Sequence, residues 1–242
     1  GPSTGLPTYT DQSDLRFVLH AAQGEFPRVV LCPGSIEECY YESFNAFNLA
    51  EKYQLPVIIL IDKTISEHNT TLFPFKTDLR INRGKLLTDK KASQIKKYKR
   101  YEFTKDGVSL RAIPGQKNCY HVCSSYEHDE TGYTSEDPIN RVKMMDKRFK
   151  KLEFIEKEIK GYNFYGKKDC KFTVVSWGST KAPILETMNL MNNKFNFLQI
   201  TCLSPFPLNI KNILSKSKNL IIIEGNKTSQ LSGLIREKTG IE

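Results

Sequence analysis

The sequence predicts an α/β fold built on parallel strands, and three observations predict it. Apolar runs at Arg28–Leu31, Val57–Ile61, Phe172–Trp177, Phe197–Cys202 and Leu220–Ile223 have the length of strands. Helical patterns stand between them. Val57–Ile61 is uninterrupted and β-branched, as in strands buried on both faces of a parallel sheet. Ligands of such sheets sit beyond the carboxyl ends of the strands, so the loops there are the first places to look for function.

The opening stretch, Gly1-Pro2-Ser3-Thr4-Gly5-Leu6-Pro7-Thr8, combines glycine, proline and hydroxyl residues ahead of a helix start at Thr10-Asp11-Gln12-Ser13-Asp14. Such a loop can turn tightly and present backbone N–H groups to a carboxylate or phosphate; it can equally be an ordinary connection. A loop of this kind needs a strand before it, which suggests a chain that has been cut. Asp11–Ala22 reads as a short helix with Leu15, Val18 and Leu19 on one face. Arg28–Leu31 follows Pro27 as a strand. Ser35-Ile36-Glu37-Glu38 has the form of a capping box and opens a helix whose stripe is Ile36, Cys39, Tyr40, Ser43, Phe44, Phe47 and Ala50. Pro56 opens the next strand.

From about Thr64 to Asn140 the periodicity dissolves into Lys-rich, Gly/Pro-punctuated sequence, which reads as a connector wrapping over a neighbour. Its acidic stretch Glu127-His128-Asp129-Glu130-Thr131-Gly132 is open to two readings, metal ligands or a charged turn. Cys119-Tyr120-His121-Val122-Cys123 is a weak zinc candidate without a second ligand pair. Asp137-Pro138 leads into a helix over Ile139–Lys160, with Val142, Met145, Phe149, Leu152, Ile155 and Ile159 as its packing stripe. The last seventy or so residues hold three βα units, which predict a small parallel sheet with right-handed crossovers. Gly178-Ser179-Thr180, between a strand and the helix from Lys181, can bind an anion or simply cap that helix. Ser204-Pro205-Phe206-Pro207 turns into a helix over Leu208–Ser215, and Gln230–Lys238 closes the chain.

Bulk properties narrow the classes. No apolar run approaches the about 18 residues that span a bilayer. The net charge of +9 raises a nucleic-acid reading. Its excess clusters in Lys85–Arg100 and Arg141–Lys160 without the Gly/aromatic interleaving of a binding motif, which favours a solvated lysine-rich face. The six cysteines include no iron–sulfur run and read as reduced thiols of a cytoplasmic protein.

Taken together, several motifs resemble the α subunit of 2-oxoacid:ferredoxin oxidoreductases. They are the opening Gly-Pro-Ser-Thr-Gly-Leu-Pro-Thr with Asp11-Gln12-Ser13-Asp14-Leu15, then Gly24–Val30, Pro33–Cys39, Phe47–Tyr53 and Pro56–Ile58. The connector adds Asp106–Ser109, Arg111–Gly115, Glu127–Gly132 and Glu136–Pro138; the remainder adds Trp177–Lys181 and Glu224–Leu231. The resemblance runs the length of the chain. It implies the later part of a pyrimidine-type thiamine-diphosphate-binding domain in residues 1–75, a connector with a long helix in 76–165, and a transketolase C-terminal-like three-layer parallel-sheet domain in 166–242.

It also implies a function. The family decarboxylates 2-oxoacids oxidatively with thiamine diphosphate and coenzyme A and passes electrons to ferredoxin. Thiamine diphosphate and Mg²⁺ would lie at the interface with a β subunit that also carries a [4Fe–4S] cluster, in a heterodimer or dimer of heterodimers. Ser3, Thr4, Gly5 and Thr8 would line the substrate pocket. No catalytic residue and no metal ligand is expected here, cofactor contacts are unassigned, and neither nucleic acid nor membrane is an expected partner. The family's Tyr-Pro-Ile-Thr-Pro-like loop, its cofactor-polarising glutamate and a substrate-binding arginine lie upstream of the Ser-Thr loop and are absent from these residues. The expectation is therefore a portion of an α subunit whose N-terminal part is missing, unable to turn over alone. The competing reading is a non-catalytic assembly or scaffold subunit. The acid itself, 2-oxoglutarate or pyruvate, is left open.

Overall fold

A computed structural model describes residues 9–167 and 170–241. Two sheets organise them. The first has the order β2-β1-β6 and is formed by β1 (Val29–Leu31), β2 (Val57–Ile59) and β6 (Cys202–Ser204). β1 and β2 run parallel, as the β-branched run predicts, and β6 is antiparallel to β1. The second has the order β3-β5-β4-β7, from β3 (Tyr162–Tyr165), β4 (Phe172–Trp177), β5 (Asn196–Ile200) and β7 (Asn219–Ile222). β5, β4 and β7 are parallel, and β3 pairs antiparallel with β5 along one edge.

The expected strand over Phe197–Cys202 is thus two strands serving different sheets. Thr201 is the switch: its N–H donates to the Gly161 carbonyl at 2.9 Å, while its own carbonyl accepts the Cys32 N–H at 2.8 Å. One buried cluster consequently joins Leu15, Val30, Cys32 and Leu60 to Val175, Trp177, Leu198, Ile200 and Leu203.

The first helix, α1 (Leu15–His20), is shorter at both ends than expected. At its start, the Gln12 N–H donates to the Gly225 carbonyl at 3.0 Å, and Ser13–Asp14 form a turn instead of helix. At its end, the buried Arg28 guanidinium donates to the Val18 and Ala21 carbonyls at 2.8 and 3.2 Å and takes the place of a further turn.

In α2 (Ile36–Tyr53), Ser35 accepts the Glu38 N–H, as half of the expected box. The predicted stripe is corrected: Ala46, Leu49 and Tyr53 pack on β1, and Phe47 is 77% exposed. Tyr40 faces the connector instead, stacked on Phe75 with its hydroxyl donating to the Lys76 carbonyl at 3.1 Å.

The connector contains two short helices, α3 (Lys63–Glu67) and α4 (Asp89–Ser93), and a small core of Leu87, Ala92, Tyr98 and Cys119. The long helix is α5 (Pro138–Glu158), capped by Asp137. The C-terminal half of its stripe, Leu152, Ile155 and Ile159, packs inward as expected, while the N-terminal half is rotated. Met144, Lys151 and Ile155 are buried, whereas Val142 is 60% exposed. Arg148 turns inward to the Glu127 carboxylate of the connector, and Lys151 to the Gln54 carbonyl at the end of α2. The remaining helices are α6 (Lys181–Leu190), α7 (Ile210–Leu214) and α8 (Gln230–Thr239). α6 packs on one face of the second sheet, while α7 and α8 contribute to the shared core. Among the described residues no helix is long and apolar enough to cross a membrane.

Candidate functional site

The carboxyl ends of β1, β2, β4 and β7 converge on two buried polar junctions. Glu38, in the first turn of α2, is the centre of one. Its carboxylate accepts the Gly34 N–H at 2.6 Å, the Gln199 amide at 2.7 Å, the Lys181 ammonium at 2.5 Å and the Asn163 amide at 3.4 Å. The box expected Glu38 to reach back to the Ser35 N–H; it reaches one residue further and binds the second sheet as well. Gly34 permits this approach, because a Cβ there would lie 2.7 Å from Gln199 Nε2 and 2.8 Å from the Gly178 carbonyl oxygen.

Asp62 and Gln12 form the other junction, and both are buried. Asp62 follows β2. Its Oδ2 accepts the Ser179 N–H at 3.1 Å and the Gln12 amide at 3.2 Å, and its Oδ1 accepts the Ile65 N–H at 3.3 Å as the cap of α3. Gln12 Nε2 also donates to the Trp177 carbonyl at 3.0 Å, while its Oε1 accepts the Gly225 N–H at 2.8 Å and its carbonyl accepts the Asn226 amide at 3.3 Å. Of the two readings of Gly178-Ser179-Thr180, the helix cap is not met, because the Thr180 side chain makes no capping hydrogen bond. The segment does meet an anion, and that anion is the chain's own Asp62. Gly178 adopts φ of +64° there, the left-handed region that glycine enters without a steric penalty.

Ser3, Thr4, Gly5 and Thr8 lie outside the described residues. The chain is described from Tyr9 onward, and the Thr64 hydroxyl of α3 donates to the Thr10 hydroxyl at 2.9 Å. The other candidates are structural. Arg141 and Arg148 hold Glu127; burial alone would raise its carboxyl, but Arg148, the His128 N–H and Arg141 outweigh that and keep it at about 2. Asp129 Oδ1 accepts the N–H groups of Thr131, Gly132 and Tyr133, and Glu130 pairs with Lys99. This acidic stretch is a charged turn with its acceptors in use. Cys119 packs in the connector core, while the exposed Cys123 accepts a hydrogen bond from the Tyr101 hydroxyl. All six cysteines are free thiols. Cys32, at the end of β1, is pushed well up, first by burial and then by Cys202, Glu38 and Glu42, so it is no nucleophile.

An apolar groove of about 840 Å³ lies between α6 and the β4/β7 face, lined by Phe172, Val174, Ile184, Met191, Ile221 and Ile223 among others. The polar chemistry is instead at the two junctions, which can bind and orient but offer no free acid or base. Gln12 and Asp62 were not singled out as site residues from sequence. Asp62 had one signal, a carboxylate immediately past a buried strand.

Comparisons with known proteins agree with this architecture. Residues 1–147 match the family described as "Pyruvate flavodoxin/ferredoxin oxidoreductase, thiamine diP-bdg". The chain is 41% identical to the α subunit of 2-oxoacid:ferredoxin oxidoreductase 1 from Sulfurisphaera tokodaii, over 99% of its own length and 38% of that protein. It is 28% identical to the 2-oxoglutarate oxidoreductase subunit KorA of Mycobacterium tuberculosis, over 98% of this chain and 36% of that one. A solved 2-oxoglutarate:ferredoxin oxidoreductase from Magnetococcus marinus, with 2-oxoglutarate, coenzyme A and succinyl-CoA bound, superposes with a TM-score of 0.88 at 33% identity. That match covers all of this chain and 42% of the other. The chain thus spans about two fifths of the length of these relatives.

Proposed function

The chain belongs to the pyruvate flavodoxin/ferredoxin oxidoreductase family through its thiamine diphosphate-binding region, and from that premise we propose that it is the α-subunit portion of a 2-oxoacid:ferredoxin oxidoreductase. The reaction is coenzyme A-dependent oxidative decarboxylation of a 2-oxoacid, 2-oxoglutarate or pyruvate, to acyl-CoA and CO₂, with electrons passed to ferredoxin. The observation that carries this reading is the chain-long likeness to an enzyme solved with 2-oxoglutarate and both coenzyme A species bound.

In this reading Ser3, Thr4, Gly5 and Thr8 bind the substrate. The Thr8 hydroxyl donates to the 2-oxoacid carboxylate, and Pro7 restricts the backbone before it. The described residues do not themselves fit a diphosphate and its Mg²⁺. The buried Asp62 and the half-buried Glu38 of α2 have their carboxylates engaged by protein donors, and Lys181 is paired with Glu38. We therefore assign thiamine diphosphate and Mg²⁺ to the interface with a β subunit, which also carries the [4Fe–4S] cluster, in a heterodimer or dimer of heterodimers. This chain contributes orientation: strand ends and junctions that fix the substrate loop. We read residues 1–75 as the later part of the pyrimidine-type domain, 76–165 as connector and 166–242 as the transketolase C-terminal-like domain. The six free thiols suit a reducing cytoplasm.

The test is reconstitution with the β partner and assay of coenzyme A-dependent dye reduction over a panel of 2-oxoacids. Thr8→Ala is expected to raise KM or change the order of preference among the acids. A reconstituted complex that reduces dye with none of them would favour the scaffold reading.

A further inference from the structure

A second cavity, of about 400 Å³, lies where the segment after β6 meets α1, α5 and α8. It stands at the amino end of β1, where the Ser204 hydroxyl donates to the Arg28 carbonyl at 2.9 Å, whereas both polar junctions stand at carboxyl ends. Much of its lining is apolar: Leu19 of α1, Leu152 of α5, Leu203 and Phe206 at the end of β6, and Leu234 of α8. Leu203 and Leu234 are buried, and Leu208, also in the lining, is 62% exposed. Three cations share the cavity, Arg16 of α1, Lys211 of α7 and Lys238 of α8, together with His20. Two carboxylates, Glu156 and Glu237, face them. Glu237 is already engaged, by Arg16 at 2.7 Å and Lys238 at 2.9 Å. Lys211 is exposed and has no ion-pair partner among the described residues.

The two halves of this lining call for two halves of a ligand. A cavity of this size encloses a small organic molecule, and the leucines favour an apolar body within it. Three cations against two carboxylates leave one positive charge, which a singly charged head group matches and a doubly charged phosphate ester exceeds. An inorganic anion alone would leave the leucines in water. A neutral hydrocarbon would leave Lys211 without a counter-charge. A chain ending in one carboxylate satisfies both.

We propose that this cavity is a binding site for an amphipathic carboxylate, with an aliphatic chain of about six to ten carbons on the leucines and its head paired with Lys211. Leu152 packs with the cluster between β1 and α2, while Leu203 and Leu234 belong to the core shared by both sheets. A ligand that touches all three bridges the two clusters, and its occupancy stabilises the fold by mass action. The site uses none of residues 1–8.

The experiment titrates the complete enzyme, with its β partner, with octanoate in a calorimeter. Octanoate is expected to bind this chain with a Kd below about 1 mM, within reach of a ligand of that size. Hexanoate, shorter by two methylenes, should bind about tenfold more weakly. Lys211→Met should weaken octanoate about three- to tenfold, as for a charged pair open to solvent on one side, and Lys211→Glu should weaken it further. Neither variant should change the binding of octan-1-ol, which has the chain without the charge. Lys211 is an exposed residue of α7, so both variants keep the fold. An octanoate carrying a diazirine on its chain should label peptides that contain residues 16–20 or 203–208, and excess octanoate should suppress that labelling. Labelling confined to other peptides or to the β partner overturns the inference. So does an equal Kd in the wild type and Lys211→Glu, equal binding of hexanoate and octanoate, or no binding of octanoate up to about 10 mM.

Discussion

Glu38 draws donors from four places in the chain: the Gly34 backbone, Asn163 of β3, Lys181 of α6 and Gln199 of β5. Its pair with Lys181 is largely shielded, with 14% and 20% of the two side chains exposed. Glu38→Gln keeps the shape but turns an amide N–H toward donors and leaves Lys181 without its counter-ion. The expected loss is about 2–3 kcal/mol, the range for removing one partner of a shielded charged bond, read as a lower urea midpoint at constant slope. A loss below about 0.5 kcal/mol would mean that the pair behaves like an exposed one. Half of this residue was legible in sequence. Ser-x-x-Glu marks a helix start, and Ser35 does cap the Glu38 N–H. The other half was not, because Gln199 is distant in the chain and no local spacing encodes that contact. The same holds for Gln12, which looked like part of a helix start and is instead a four-way tie. The reading of Ser3, Thr4, Gly5 and Thr8 as a substrate loop rests on resemblance alone, and these residues lie outside the described ones.

α5 shows the same limit for a whole element. Its extent was readable from Asp137-Pro138 and the apolar period, and so was the inward packing of Leu152, Ile155 and Ile159; the inward turn of two cations, Arg148 to Glu127 and Lys151 to the end of α2, was not. Lys151 is 8% exposed and donates to the Gln54 carbonyl at 2.9 Å, capping the end of α2. Burial first, then Lys147, Arg100 and Arg148, push its amine down to about 7. An unfolded lysine titrates near about 10.4. Between those values the unfolded chain binds a proton that the folded chain does not, so stability rises with pH from about 7 to about 10. Below about 7 both states are protonated and this group adds no slope. Lys151→Met should therefore flatten the rise in denaturant midpoint measured between pH 7 and 9.5. Lys147, pushed down to about 8 chiefly by burial, leaves a smaller rise of the same sign in the variant. An identical slope in both proteins would show that Lys151 stays charged in the fold. Phe47 of α2 makes the complementary point. A period of 3.6 identifies a helix, but two apolar faces compete for the label of core when a connector covers one of them.

At the scale of the molecule, the parallel strands and their order of occurrence were legible because each is a short apolar run between helical patterns. The exchange of β6 into the first sheet was not, since its partner β1 lies far back in the sequence and pairing registers leave no local mark. That exchange has an energetic consequence. Val30 and Trp177 belong to one buried cluster although they stand on different sheets. Disrupting the first sheet should then weaken the second, and the protein carries its own reporter, since Trp177 is the single tryptophan and is 1% exposed. Val30→Ala deletes buried methyl groups and should cost about 2 kcal/mol. In a cooperative unit, the tryptophan emission midpoint of the variant falls by the same amount as the far-ultraviolet circular dichroism midpoint. If the sheets were separate folding units, emission from the second sheet would keep its midpoint while the dichroism signal split into two steps. The shared core and the β1–β6 ladder argue for the first outcome, because Val30 cannot be loosened without exposing groups that Trp177, Ile200 and Leu203 also pack against.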